Sequence, residues 1–232
     1  MLELEACVES LEEAKVASIH KLKRVELCSA LDVGGLTPSM GLIEACASLP
    51  FVETHVLIRP RPGNFAYSSS ELELMKRDIE MSAEKGAKGV VLGVLEKSGM
   101  LNLKANQELL QISKSFGMEA TFHRAFDVVE DPESVLDQLI ELDFDRLLTS
   151  GQARTAIDGI EVIKGLVQQG DGKIQIMAGS GVNAGNAGEL IQTGVDALHF
   201  SIRKPIRQEK LGMGTTYEPD ARKLIGIQSM LK

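Results

Sequence analysis

The sequence predicts an α/β protein built as one closed parallel (β/α)8 barrel spanning residues 1–232, and three observations carry that reading. Short apolar runs alternate with helical patterns along the whole chain, eight times, at spacings of about thirty residues or less. Some runs are apolar throughout, such as Gly89-Val90-Val91-Leu92-Gly93-Val94-Leu95, which suits parallel strands buried on both faces. No linker, low-complexity tract or break in composition divides the chain into domains. A doubly wound open sheet is the rival. It needs fewer strands and a glycine-rich turn after the first, where this chain has Glu9-Ser10-Leu11.

Taken in order, Leu2 to Val8 reads as the first strand, and Ser10 with Glu13 forms a capping-box signature for a helix over Ser10 to His20. Val25 to Ser29 is the second strand. The loop Gly34-Gly35-Leu36-Thr37-Pro38 leads from it to a helix over Ser39 to Leu49. Thr54 to Ile58 is the third strand, followed by an arginine- and proline-rich loop and a helix over Ser69 to Lys85 that Gly86 stops. Gly89 to Leu95 and a helix over Lys104 to Phe116 form the fourth unit, with Gly117 as its stop. Glu119 to Ala125 is the fifth strand, and Asp131-Pro132 caps and opens the next helix. Arg146 to Thr149, Lys173 to Ala178 and Ala197 to Ser201 are the last strands, with helices over Arg154 to Gln169 and Ala184 to Thr193 between them. The tail after Arg203 reads as irregular until a helix begins near Glu218.

A hydrophobic content of 44% is ordinary for a globular chain with a sizeable core, and a net charge of -8 argues against nucleic acid or an anionic membrane as partner. The acidic start Met1-Leu2-Glu3-Leu4-Glu5 lacks the basic and apolar regions of a signal peptide, and no run is long enough to cross a bilayer. Three cysteines give no disulfide framework, so a cytoplasmic location is expected.

Barrel enzymes carry their chemistry at the carboxyl ends of the strands. The first two strands present the same pattern there, Glu5-x-Cys7 and Glu26-x-Cys28, and a period of two points each pair to one side. The glutamates suit acid–base work or a cation, and the thiols suit a soft metal such as Cu(I) or zinc. Free cysteines are also common as small buried hydrophobes. Arg59, fixed by Pro60, is a candidate anion ligand at the end of the third strand.

The fifth strand runs into Thr121-Phe122-His123-Arg124-Ala125-Phe126-Asp127. Alternation favours His123 inward, as a third acid–base group, and Arg124 paired to an acid in the outer layer; Asp127 has no assigned place. Ser150 follows the sixth strand without the Gly-x-Ser-x-Gly elbow of a nucleophile and is expected to bind substrate by hydrogen bonding. Gly179 and Gly181, between a strand and a helix, would let backbone N–H groups approach an anion such as a phosphate, with His199 beside them.

In chain order, Val25-Glu26-Leu27-Cys28-Ser29, Gly34 to Ser39, Ile58-Arg59-Pro60-Arg61, Gly89 to Leu95, Thr121 to Asp127, Leu148 to Gln152, Ile176 to Asn183 and His199-Phe200-Ser201 resemble segments of the CutC family of copper homeostasis proteins. The resemblance implies a TIM barrel, a cytoplasmic homodimer and a link to copper tolerance, with Cu(I) falling on Cys7 and Cys28. The alternative is a barrel enzyme of isomerase or lyase type. It would take a small anionic molecule, with Glu5, Glu26 and His123 as catalytic groups and Arg59, Ser150, Gly179, Gly181 and His199 as ligands. Asn64 and Asn102 stand where the family often has aspartates.

Overall fold

The computed structural model describes residues 2–231. Eight parallel strands pair in chain order: β1 (Glu3–Val8), β2 (Arg24–Leu27), β3 (Glu53–Leu57), β4 (Gly89–Leu92), β5 (Glu119–Phe122), β6 (Arg146–Thr149), β7 (Gln175–Gly179) and β8 (Ala197–Ser201). β8 returns to pair with β1, which closes the barrel. The helices around it are α1 (Leu11–Ile19), α2 (Met40–Ala47), α3 (Ser69–Glu84), α4 (Leu103–Ser115), α5 (Pro132–Glu141), α6 (Ile160–Gly170), α7 (Ala187–Gln192) and α8 (Ala221–Ser229).

Local chemistry explains the helix starts. Ser10, Ser39, Ser68, Asn102 and Asp131 each accept a backbone N–H at the first turn of α1 to α5, and Ser68 with Glu71 completes a reciprocal capping box. Asn102 therefore works as a cap. Neither it nor Asn64, whose side chain binds Arg61 and the Ala66 N–H, lines the mouth cavity.

Several strands stop earlier than their apolar runs. β5 ends at Phe122 because His123 caps a 3-10 turn over Arg124–Val128, its ring accepting the Ala125 N–H. β4 ends at Leu92, and the chain then turns so that Asn106 of α4 binds both the N–H and C=O of Val94. α6 begins at Ile160 rather than Arg154.

The tail after Arg203 is ordered where irregular chain is expected. It forms an antiparallel ribbon, β9 (Arg203–Gln208) and β10 (Thr215–Pro219). Positive φ at Leu211, Gly212 and Gly214 closes its turn. The ribbon is solvated and gives no apolar alternation to read in sequence. Its root is pinned by Arg203, which pairs with Glu9 and Asp32 and stacks 3.8 Å over the Tyr217 ring.

The strands sort their residues by face. Leu4, Ala6, Val8, Val25, Leu27, Val56, Val90, Leu92, Phe122 and Leu198 point outward into the core shared with the helices. The inward set is stratified along the barrel axis. At the amino-terminal end it is ionic: Arg24 is bound to Glu3 and Glu5, and Arg146 to Glu119, Thr121 and Gln175. Above lie two small apolar clusters, Cys7/Cys28/Leu57/Val91 and Leu148/Met177/Ala197. Above those the barrel opens. Among the described residues, no helix is long and apolar enough to cross a membrane.

Candidate active site at the barrel mouth

A cavity of about 920 Å³ opens at the carboxyl ends of the strands. Its inner wall carries Cys7, Glu26, Arg59, His123, Leu148 and His199; the β7–α7 loop from Ser180 to Gly185 forms one side, and α8 contributes Arg222, Lys223 and Ile227.

Glu26, Glu5 and His199 are buried together, with one ligand atom from each lying within 4.8 Å of the others. The strand register brings them there. Glu5 pairs with His199 across the β1–β8 ladder, and Cys7 pairs with Glu26 across β1–β2. His199 Nδ1 lies 2.8 Å from Glu5 and 3.7 Å from Glu26, while Arg24 holds the other oxygen of Glu5. Burial alone would raise Glu5, but the His199 hydrogen bond and the Arg24 charge outweigh it and hold the carboxyl well below its ordinary range. Burial would lower His199, but Glu26, Cys7 and Glu5 push it well above its usual value, so it is an imidazolium. Glu26 is pushed up to about 7 by burial and by the Glu5 charge, against the pull of His199, and its Oε2 has no hydrogen-bond partner.

Arg59 is buried against the cavity and stacked on Phe65, 5.2 Å from the ring centroid. Its guanidinium donates to the carbonyls of Val33, Gly35 and Gly63. Among the described residues no carboxylate pairs with it, and its Nε has no partner. His123 faces the same cavity with Nε2 unpartnered, and burial together with the Arg59 charge lowers it to about 3.

The Sγ atoms of Cys7 and Cys28 lie 3.7 Å apart, both buried. The hydrogen bond with Cys28 and burial raise the Cys7 thiol well above its ordinary value, so it is protonated at neutral pH. The separation is a little shorter than the roughly 4–5 Å that two metal–sulfur bonds span end to end, close enough for both sulfurs to reach one soft ion such as Cu(I).

Other expected residues stand differently. Glu5 lies a rung below the mouth, fully engaged, and does not line the cavity. Ser150 is also absent from the cavity wall, because its hydroxyl binds Asp127 and the Ala153 carbonyl and accepts from Arg124. Gly179 packs beneath the mouth, where a Cβ would come within 2.5 Å of Leu148; Gly181, with φ +74°, does line the cavity. Arg124 reaches the mouth rather than an outer layer and pairs with Asp127 at 2.7 Å. Asp127 is a loop staple, accepting from Thr149, Ser150 and Gln152.

The Glu5–His199 pair was not foreseen, because its only sequence signal is a histidine in the strand that closes onto the first. The α8 contribution was missed for want of any signal beyond the Asp220 cap and the basic residues behind it.

A closed (β/α)8 barrel whose mouth cavity rests on a buried carboxylate–imidazolium pair defines the class of protein. The CutC family model matches residues 2–204, and the chain belongs to the CutC family. It is 46% identical over 203 residues to a family protein CutC of Glaesserella parasuis, covering 87% of this chain and 83% of that one. It is 42% identical over 226 residues to a family protein CutC of Bacteroides thetaiotaomicron, covering 94% and 90%. A crystal structure from Streptococcus agalactiae described as a copper homeostasis protein CutC is similar at TM-score 0.81 and 36% identity, covering 86% of this chain and 98% of that chain. A 3-hexulose-6-phosphate synthase from Salmonella typhimurium, at TM-score 0.65 and 16% identity, covering 99% and 98%, shares the fold alone.

Proposed function

We propose that the protein is an enzyme of isomerase or lyase type that performs acid–base chemistry on a small anionic molecule bound in the barrel mouth. The observation that carries this reading is Arg59, a buried cation facing the cavity without a carboxylate partner. A buried charge is costly unless it is compensated, and an anionic ligand supplies the compensation. Across the same cavity Glu26 carries an unpartnered oxygen and titrates at about 7, where a carboxyl can both take and return a proton. The backbone at Gly181, with its φ of +74°, adds a second place for an anion to approach main-chain N–H groups.

The test is a thermal-shift screen of small phosphorylated and carboxylated compounds, followed by turnover measurements on those that bind. Wild type is expected to gain several degrees with at least one compound, Arg59→Met to lose that gain, and Glu26→Gln to bind but turn over at least a hundredfold more slowly. A screen in which nothing stabilises the wild type would sink the reading.

A second reading, copper homeostasis through Cu(I) held by Cys7 and Cys28, is favoured by the 3.7 Å Sγ separation and by the description of the Streptococcus agalactiae protein. A cytoplasmic homodimer belongs with it. Because Cys7 is held protonated, Cu(I) must displace a proton, so affinity should rise with pH. Titration against a bicinchoninate competitor distinguishes the cases: equal affinity in wild type and the Cys7→Ser/Cys28→Ser variant removes the cysteine site.

A further inference from the structure

His123 is the one inward group at the mouth whose tautomer the structure determines. Its Nδ1 lies 3.2 Å from the Ala125 backbone nitrogen and accepts that N–H, so Nδ1 carries a lone pair. Burial and the neighbouring Arg59 charge keep the ring neutral, at about 3. A neutral imidazole with an occupied Nδ1 lone pair bears its proton on Nε2. That Nε2–H is buried and has no partner, on a residue that lines the cavity.

The ring is also locked in place. Phe65 packs against it at 4.8 Å between centroids, and Phe122 at 6.0 Å. Gly93 gives it room, since a Cβ there would come within 2.7 Å of Nδ1. A buried donor without an acceptor is costly, and a fixed one suits an oxygen that the ligand brings.

Resting on the acid–base reading above, we propose that His123 is a neutral hydrogen-bond donor to a substrate carbonyl oxygen, which makes the substrate an anionic aldehyde or ketone with a hydrogen on the carbon next to the carbonyl. Arg59 binds the anionic end. Glu26 in its carboxylate form removes the proton from that carbon. The C–H electron pair becomes a C=C bond, the carbonyl π pair moves to oxygen, and the developing negative charge is received by the His123 Nε2–H, which keeps its proton. Glu26 then returns its proton to the original carbon after exchange or, where that carbon bears a hydroxyl whose proton passes to the enolate oxygen as its C–O becomes the new carbonyl, to the former carbonyl carbon, which completes an isomerisation. No oxidant or reductant enters. His123 thus acts as an electrophile and leaves proton transfer to Glu26.

Planar mimics of the enolate supply the test in two arms. Phosphoglycolohydroxamate is compared with inorganic phosphate, and oxalate with acetate, by calorimetry on wild type, His123→Phe and His123→Gln. The phenylalanine keeps the ring packing and removes the donor; the glutamine restores an N–H. In one arm the mimic is expected to bind wild type at least a hundredfold more tightly than its reference anion. That preference should fall at least tenfold in His123→Phe and return in His123→Gln, with reference-anion binding unchanged; the arm that responds tells phosphate from carboxylate substrates. A preference untouched by His123→Phe overturns the electrophile and leaves the anion site standing. Failure of both reference anions to bind wild type overturns the acid–base reading itself. Independently, 15N-histidine NMR should show His123 as the neutral Nε2–H form from pH 5 to 8, its signals assigned by their loss in His123→Phe. A protonated ring or an Nδ1–H form in that range refutes the proposal.

Discussion

Glu5 and Glu26 sit on neighbouring strands, share one histidine and titrate in opposite directions, because their surroundings differ. Glu5 has both oxygens bound by cations, Arg24 on one side and His199 on the other. Glu26 is equally buried but keeps one oxygen unpartnered. For Glu26 the folded state holds its proton up to about 7, against a reference value of 4.5. The unfolded chain loses that proton first, so the stability this proton contributes is complete below pH 4.5 and is lost as pH rises through about 7. Glu26→Gln removes the loss. The variant should match wild type near pH 4 and exceed it by on the order of 2–3 kcal/mol at pH 8, with the gap opening between those values. Urea denaturation at a series of pH values measures it, and a gap that does not change with pH would show that Glu26 is not held neutral.

At the scale of elements, β4 shows how one strand makes room for others. Gly89 opens it, Gly93 follows its last residue, and each faces a buried histidine: a Cβ on Gly89 would come within 2.4 Å of the His55 ring. His55 is fully buried and enclosed, so it cannot move aside, and Gly89→Ala should cost about 1–3 kcal/mol by overpacking. Gly165 is the opposite case. It lies within α6 with nothing within 4 Å of an added Cβ, and Gly165→Ala should stabilise by about 0.5–1 kcal/mol through helix propensity. Thermal melts of the two variants should shift in opposite directions. The same strand shows where sequence reading stops. Gly89 to Leu95 reads as one apolar run, and it correctly marks a buried parallel strand, but nothing in it says that its glycines serve ring packing in adjacent strands. Alternation likewise puts Glu5 with Cys7, and Glu26 with Cys28, on one side of their strands. It gives the face of a residue and not its depth, which depends on the β1–β2 and β1–β8 registers. So Glu5 was expected at the mouth and lies a rung below it, and Ser150, polar at a strand end, proved to be bound by an aspartate that sequence left unplaced.

Across the whole molecule the barrel interior is closed at its amino-terminal end by ions rather than by apolar side chains. Arg24 and Arg146 are among its largest fully buried side chains, and the carboxylates of Glu3, Glu5 and Glu119 surround them. This floor couples the fold to the site, since the Glu5 that Arg24 grips is also the partner of His199 at the base of the cavity. Arg24→Met would leave Glu5 with His199 alone and should cost about 3–5 kcal/mol at neutral pH, because breaking a buried pair strands a charge. Its pH dependence follows from the depressed Glu5 carboxyl. A carboxyl held below its reference of 4.5 contributes stability that is present above that value and lost as pH falls through the folded pKa. Removing Arg24 weakens the depression, so the deficit should be full at pH 6–8 and narrow below about pH 4.5, where a protonated Glu5 needs no cation. Arg24→Met/Glu5→Gln should recover part of the loss at neutral pH, because no carboxylate is left stranded, and should lack the acid narrowing. Urea melts at pH 4 and pH 7 on the two variants provide the comparison. Equal deficits at both pH values in Arg24→Met would mean that the floor is held by shape and packing rather than by paired charge.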